Sequence, residues 1–201
     1  ALGNLLIAGM VGAGDDLLGS LDEVGRLVGA VGRVLPATSQ PVDLVADTGE
    51  WEVEGQVAVH RASGIVRLRL VPPDVSSPPE VGEAIAAADQ VVLGPGSLYT
   101  SVLAATLAPD VVEALAGRGG PTVLVANLQP DVESPEALDD QLLVLEDHGI
   151  RPDMVLLDEA FDGEMPETCP AKRAPVSASG GRLHDPVLLG AALSTCTAAN
   201  M

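Results

Sequence analysis

The sequence predicts an α/β fold: a Rossmann-like, open and mainly parallel sheet with helices on both faces, and a small antiparallel section near residues 41–71. After residue 80, short aliphatic runs alternate with helical segments. Such an order implies right-handed crossovers and a parallel sheet covered by helices. Between residues 41 and 71, short alternating apolar and polar runs flank a tight turn, which is typical of antiparallel strands.

The composition favours one domain with an aliphatic core. The chain has 201 residues and is 47% hydrophobic, so a sizeable core can form. Only Trp51, Tyr99 and Phe161 are aromatic. We expect a single domain over residues 1–193, which forms the C-terminal portion of a longer fold, and a frayed tail over 194–201.

The charge excludes two classes of partner. Ten basic and 29 acidic residues give a formal net charge of −19, which repels nucleic acid and anionic membrane surfaces. No apolar run reaches the ~18 residues of a membrane span, and no signal peptide is evident. The two cysteines, Cys169 and Cys196, lack metal-ligand spacing; a disulfide is allowed but not required. We therefore expect a cytoplasmic protein.

The first half of the chain begins with two helices. Residues 2–12 form an apolar helix, and Asp15 and Asp16 supply the acidic N-cap of a second helix that ends near Ala30. The runs VDLVA, WEVEG, QVAVH and IVRLRL then predict short strands, with a hairpin turn at 47–50.

Arg67 and Arg69 alternate with apolar residues in the last of these runs. They therefore share one face of the strand, which we interpret as a solvated face rather than a ligand site.

The second half alternates helices and strands. In chain order we predict a helix over 80–88, a strand over 90–94, a helical stretch interrupted near Pro109, a strand over 122–126, a helix over 135–148, a strand over 153–157, a loop over 159–175, a short strand near 175–178 and a helix over 185–193.

The bend in VVLGPGSLYTS, residues 91–101, is the main candidate site. It lies at the carboxyl end of a predicted parallel strand, where open α/β sheets bind ligands. Gly94 and Gly96 allow an anion to approach the backbone, and Ser97, Thr100 and Ser101 add hydroxyl donors. The alternative is a strand-to-helix turn in which Ser97 only caps a helix, since one glycine-rich turn is a weak signal.

Other polar residues fall at neighbouring sheet ends or turns. Asn127 ends one strand, and Asp158 with Glu159 ends the next, so all three would lie at the same sheet edge. Thr38 either donates to a ligand or satisfies a turn, and Arg182 and His184 precede the last helix. No partner for His184 is identifiable from spacing, which favours a structural role.

Several strings together resemble the bacterial gluconeogenesis-factor family, the YvcK-like relatives of 2-phospho-L-lactate transferase, CofD. The strings are GNLLIAGM at 3–10, GRVLPAT at 32–38, AADQVVLGPGSLYTSVL at 87–103, VLVANL at 123–128 and, more loosely, RLHDPVLLGAAL at 182–193. The resemblance runs from residue 2 to about residue 158.

The resemblance implies a Rossmann-like, cytosolic regulator that binds UDP-N-acetylglucosamine and links carbon metabolism to cell shape and peptidoglycan synthesis. It implies no further cofactor and favours a binding protein over an enzyme. The diphosphate would lie on the bend and its hydroxyls. The ligand-binding candidates are Asn4, Thr38, Gly94, Gly96, Ser97, Tyr99, Thr100, Ser101, Asn127 and Arg182.

The alternative is an enzyme of the phospholactate-transferase type, helped by Mg²⁺. The pair Leu98–Tyr99 in the bend resembles the regulator branch, because the transferase branch tends to carry Asn-Pro there.

The chain departs from the family pattern in two places. The family's N-terminal glycine-rich loop lies upstream of Gly3, so we expect an N-terminally truncated chain with half a ligand site, or one that does not bind. An open sheet edge would follow, with homo-oligomerisation as one outcome. After VLVANL, a Thr-Gln-Pro-Gly-Glu-Thr type run is usual, whereas residues 128–134 here read LQPDVES.

Overall fold

The computed structural model describes residues 2–14, 16–178 and 181–197, and it confirms the predicted fold class. The chain forms a four-stranded parallel sheet and a three-stranded antiparallel sheet. The helices are α1 Leu2–Ala13, α2 Leu17–Val28, α3 Gln56–Val59, α4 Pro79–Ala87, α5 Ala104–Thr106, α6 Pro109–Gly117, α7 Leu138–Asp147 and α8 Pro186–Leu193, with a π-helix at Leu98–Leu103. The strands are β1 Asp43–Asp47, β2 Glu52–Glu54, β3 Arg67–Val71, β4 Val91–Leu93, β5 Thr122–Val125, β6 Met154–Asp158 and β7 Ala171–Ala174.

The parallel sheet has the strand order β4-β5-β6-β7. Every residue of β5 and β6 is buried, as expected for central strands covered on both faces. Leu124 and Val155 pack in the larger core with the π-helix, while Val123 and Leu156 pack under α8. Helices therefore cover both faces, and the carboxyl ends of the four strands share one edge.

The antiparallel sheet has the order β2-β1-β3, with Val45 opposite both Glu54 and Arg69. Arg67 and Arg69 are exposed, and an Arg69 nitrogen lies 2.7 Å from a Glu52 carboxylate oxygen. The predicted solvated face is confirmed.

The run QVAVH was predicted as a strand, and this prediction is wrong, because the structure forms the short helix α3 there. Gly55, with φ of +91°, turns the chain at the end of β2, and β3 takes the second position beside β1. Val59 is fully buried whereas Val57 is 68% exposed. The alternation of the run QVAVH therefore reflects one helical turn and not a strand.

The helix caps follow the sequence. Asp16 accepts hydrogen bonds from the Leu18 and Gly19 amides at the start of α2; Asp15 lies outside the described residues. The first helix, α1, packs against α2, and none of its described residues is buried.

Two predictions at the C-terminal end are corrected. The last parallel strand, β7, lies inside the predicted loop and ahead of the strand predicted near 175–178, because it pairs with β6 through Val155 and Ala171. In the predicted frayed tail, residues 194, 195 and 197 are exposed, but residue 196 packs in the core under α8. Cys196 is fully buried, and the Gln90 side chain donates to its carbonyl at 2.6 Å. The remainder of that tail, 198–201, lies outside the described residues.

In the described part of the chain, no single helix is long and apolar enough to cross a membrane. The helical segments Leu98–Thr106 and Pro109–Gly117 pass that test of length and composition only as a pair, which is bent by 80° at its break.

Candidate functional site

The bend after β4 requires a glycine at position 94. Gly94 has φ of +77°, and its bond to Pro95 is cis. A Cβ atom on Gly94 would lie 3.2 Å from the Val125 carbonyl oxygen and 3.3 Å from the Gly96 nitrogen. The chain therefore passes very close to the end of β5, which only a residue without a side chain permits.

Gly96 and Ser97, which follow Pro95, present free backbone donors. Among the described residues, no acceptor meets the amides of Gly96 and Ser97, whereas the Ser97 carbonyl accepts from the Ser101 and Val102 amides. Ser101 is exposed, and a Cβ on Gly96 would lie 3.0 Å from its Cβ atom. Two amides and the Ser101 hydroxyl thus lie close together at the carboxyl edge of the sheet, as an oxyanion ligand needs.

The following amides are already used by the protein itself. Ser134 Oγ accepts from the Leu98 amide at 3.3 Å. Glu133 Oε1 accepts from both the amide and the hydroxyl of Thr100, each at 2.9 Å. The structure therefore places Thr100 in the interior, where its donors face Glu133 and not the outside of the bend.

Tyr99 also lies in the core. It is 1% exposed, and its hydroxyl donates to the Ile65 carbonyl at 2.9 Å. Burial, with the nearby Glu133 charge, raises the pKa of Tyr99 to about 12. Its phenol joins the π-helix to the segment before β3 and is not presented to the sheet edge.

Asn127 supports the bend from the end of β5. Its side-chain nitrogen donates to the Gly96 carbonyl and to Asp131 Oδ2, both at 3.1 Å. The structure thus brings Asn127 together with Gly94, Gly96, Ser97 and Ser101, as the sequence predicts for residues at neighbouring strand ends.

A cavity of about 420 Å³ continues from Asn127 between the loop after β5 and the loop after β6. Its wall includes the apolar ring of Phe161 and several amide side chains. The acidic residues that line it are Asp131, Glu136, Asp139, Asp162 and Glu164. This acidic wall disfavours a phosphate in the cavity itself.

In the described part of the chain, the other three predicted site residues form no hydrogen bond or ion pair with the bend. Asn4 is exposed on α1, whose packing partner is α2. Thr38 donates its hydroxyl to the Gln40 carbonyl at 2.9 Å, which satisfies a local turn. Arg182 is exposed and follows Gly181, whose carbonyl accepts from the Gln129 side chain at 3.4 Å.

At the carboxyl edge, the charge of Asp158 acts on His184. Burial would raise the pKa of Asp158, but hydrogen bonds from the Ala160 and Val176 amides and from Ser177 together outweigh it and hold that pKa below its usual value. Burial lowers the pKa of His184, and a hydrogen bond with the Ala126 backbone and the Asp158 charge oppose that shift in part. The Nε2 atom of His184 is buried, without a hydrogen-bond partner in the described part of the chain.

We expect acidification to destabilise the fold through His184. The pKa of His184 is lower in the folded chain than in the unfolded chain. Below the ordinary pKa of histidine, the unfolded chain therefore binds a proton that the folded chain does not bind. Stability should fall as the pH drops from about 6.5 to the lowered value. Urea unfolding at several pH values would measure this, with His184→Gln as the comparison. Equal losses in both proteins over this range would contradict it.

Two residues of the site were missed from the sequence: Glu133, buried beneath the bend, and His60, whose Nδ1 lies 3.3 Å from Glu133 Oε2. The one available signal for Glu133 was that LQPDVES stands where a Thr-Gln-Pro-Gly-Glu-Thr type run is usual. For His60, nothing in the local sequence indicated this contact across the chain.

The chain matches a family model described as 2-phospho-L-lactate transferase CofD over residues 1–176. A Mycobacterium tuberculosis relative named as a gluconeogenesis factor is 34% identical over 221 residues, covering 96% of this chain and 63% of that protein. The Bacillus subtilis gluconeogenesis factor is 32% identical over 130 residues, which is 64% of this chain and 41% of that protein. The chain thus spans about two thirds or less of these relatives.

A crystal structure of a UPF0052 family member from Bacillus halodurans has a similar fold. It superposes with a TM-score of 0.84 at 26% identity and covers 96% of this chain and 71% of that chain.

Proposed function

The chain belongs to the CofD family, which its match over residues 1–176 shows, and on that premise we propose that it binds a nucleotide sugar, UDP-N-acetylglucosamine. We propose further that it acts in the cytoplasm as a regulator that links carbon metabolism to cell shape and peptidoglycan synthesis. Binding alone would carry this role, with no further cofactor.

The observation that carries the proposal is the pair of free amides at Gly96 and Ser97, beside the exposed Ser101 hydroxyl. Backbone amides bind oxyanions through local dipoles, so a chain with a net charge of −19 can still hold a diphosphate there. Gly96 lets the phosphate oxygens reach the backbone because it carries no side chain.

The neighbouring cavity supports a sugar in preference to a second anion. Its carboxylates and side-chain amides accept hydrogen bonds from hydroxyl groups, and the Phe161 ring offers an apolar surface. Asn127 borders both this cavity and the bend. A nucleotide sugar would place its diphosphate on the bend and its hydroxyl-rich part in the cavity.

Calorimetric titration of UDP-N-acetylglucosamine into the chain tests this proposal, and UDP and inorganic phosphate serve as partial ligands. We expect saturable binding of the nucleotide sugar and weaker binding of UDP. The Mycobacterium tuberculosis relative, titrated in parallel, is the matched comparison. If neither protein bound the nucleotide sugar, the proposal would be wrong.

A second candidate, a phospholactate-type transferase, is favoured by the description of the family model itself. Mg²⁺ would assist that reaction. Among the described residues, however, no three His, Cys, Asp or Glu side chains are grouped so as to hold a metal ion. Incubation with a nucleotide-activated phospholactate, a deazaflavin that offers a hydroxyl acceptor, and Mg²⁺ would separate the candidates. Only the transferase would move the phospholactyl group to that hydroxyl and release the nucleoside monophosphate.

A further inference from the structure

Glu133 is a fully buried carboxylate beneath the bend, with one of its two oxygens unsatisfied. Its side chain is 0% exposed, and Oε1 accepts both hydrogen bonds from Thr100. Oε2 is buried and makes no hydrogen bond in the described part of the chain. A buried charge without a partner is costly, so the charged form of this carboxylate is stable only with a cation beside it.

His60 is placed to supply that cation. Its Nδ1 atom lies 3.3 Å from Glu133 Oε2, while its side chain is 58% exposed and therefore open to protons from solvent. The short helix α3, which ends one residue before His60, contributes Gln56, whose side chain donates to the Thr100 carbonyl at 3.2 Å. Gln56, which begins α3, thus contacts Thr100, and His60, which follows α3, contacts the carboxylate that accepts the hydrogen bonds of Thr100.

The other titratable and charged groups around Glu133 cannot replace His60. Tyr99, from the π-helix, has a pKa of about 12 and stays neutral near pH 7. Asp131, from the same loop as Glu133, is acidic and is held by Asn127 and Ser134. Arg61 follows His60 but is exposed, and His60 forms the one ion-pair contact recorded for Glu133 among the described residues.

We propose that His60 and Glu133 are a proton-linked positioning pair that regulates the ligand site at Gly96 and Ser97. A proton taken up from solvent by His60 completes the ion pair, which fixes Glu133 on Thr100 and thereby fixes the start of the π-helix that follows the bend. The pair acts through the backbone and does not contact the ligand. Its effect on affinity rests on the proposed function, whereas its effect on Thr100 does not.

The effect on Thr100 is tested without any ligand, by following its amide resonance in ¹H–¹⁵N NMR spectra between pH 5 and pH 8, where histidines ordinarily titrate. We expect this resonance to shift with pH in the wild-type chain and in His184→Gln, which removes the other histidine at the carboxyl edge. In His60→Asn the shift should be lost. An unchanged titration of the Thr100 amide in His60→Asn would overturn the proposal.

The effect on the site is tested by calorimetric titration of UDP-N-acetylglucosamine at pH 6 and pH 8. We expect the wild-type chain to bind the nucleotide sugar at least about fivefold more tightly at pH 6 than at pH 8, which is a typical size for coupling between sites. Both His60→Asn and Glu133→Gln should lose this dependence, since the glutamine keeps an acceptor for Thr100 but removes the charge. An equal pH dependence in all three proteins would refute the regulation.

The two tests separate the two proposals. If no protein binds the nucleotide sugar at either pH while the Thr100 titration still depends on His60, the proposed function fails and the positioning pair stands.

Discussion

Gly96→Val is expected to lower the affinity for UDP-N-acetylglucosamine by about 100-fold or more, which corresponds to at least ~2.7 kcal/mol. The reason is steric: the added side chain occupies the space through which phosphate oxygens reach the Gly96 and Ser97 amides. Its Cβ would also lie 3.0 Å from the Ser101 Cβ atom and displace that hydroxyl. Calorimetric titration of the variant and the wild-type chain under the same conditions measures the loss.

The variant should remain folded, which separates lost binding from lost structure. Ser101 is exposed and can shift, so we expect a loss of stability of about 1 kcal/mol, the low end of what overpacking costs. Gly82→Val, on α4, is the matched control, because nothing lies within 4 Å of a Cβ placed there. If Gly96→Val bound as tightly as this control, the placement of the diphosphate on the bend would be wrong.

The parallel sheet was predictable because its signal is local. Strands β5 and β6 are buried along their whole length, and continuous burial on both faces produces the aliphatic runs seen in the sequence. The N-cap Asp16 was equally readable, and it accepts from amides two and three residues ahead. Asp185 caps α8 in the same way, one residue before the helix that was predicted to begin there. The same reasoning missed β7, whose sequence AKRA carries no run of apolar residues.

The use of each hydroxyl at the bend was not predictable, because it depends on residues far away in the chain. The sequence shows a cluster of donors but not that Glu133, 33 residues later, takes both donors of Thr100. It also shows one tyrosine but not that its phenol reaches the Ile65 carbonyl. The candidate site therefore narrows from all the hydroxyls to the Gly96 and Ser97 amides and Ser101.

Arg118→Ala is expected to destabilise the fold by about 3 kcal/mol, with little effect on the ligand site. Arg118 follows α6 at the amino end of the parallel sheet, opposite the bend. Its guanidinium donates to the Ile85 and Ala88 carbonyls at the end of α4 and to the Gly120 and Pro121 carbonyls before β5. One side chain thus joins the segments that lead into two neighbouring strands, and its removal leaves several carbonyls without a charged donor.

The matched control is Arg151→Ala, because Arg151 forms an exposed ion pair with Glu146. The Arg151 side chain is 77% exposed and the Glu146 side chain is 49% exposed. Such surface pairs contribute about 0–1 kcal/mol. Arg118→Lys should recover only part of the loss, since an ammonium group lacks the planar set of donors that reaches both segments at once. Urea unfolding measures the stability of all three variants, provided that the slope of the unfolding free energy against urea concentration is the same in each. Equal stability of Arg118→Ala and Arg151→Ala would show that these carbonyls find water instead, and that packing of α4 on α6 holds the two strands together without the guanidinium.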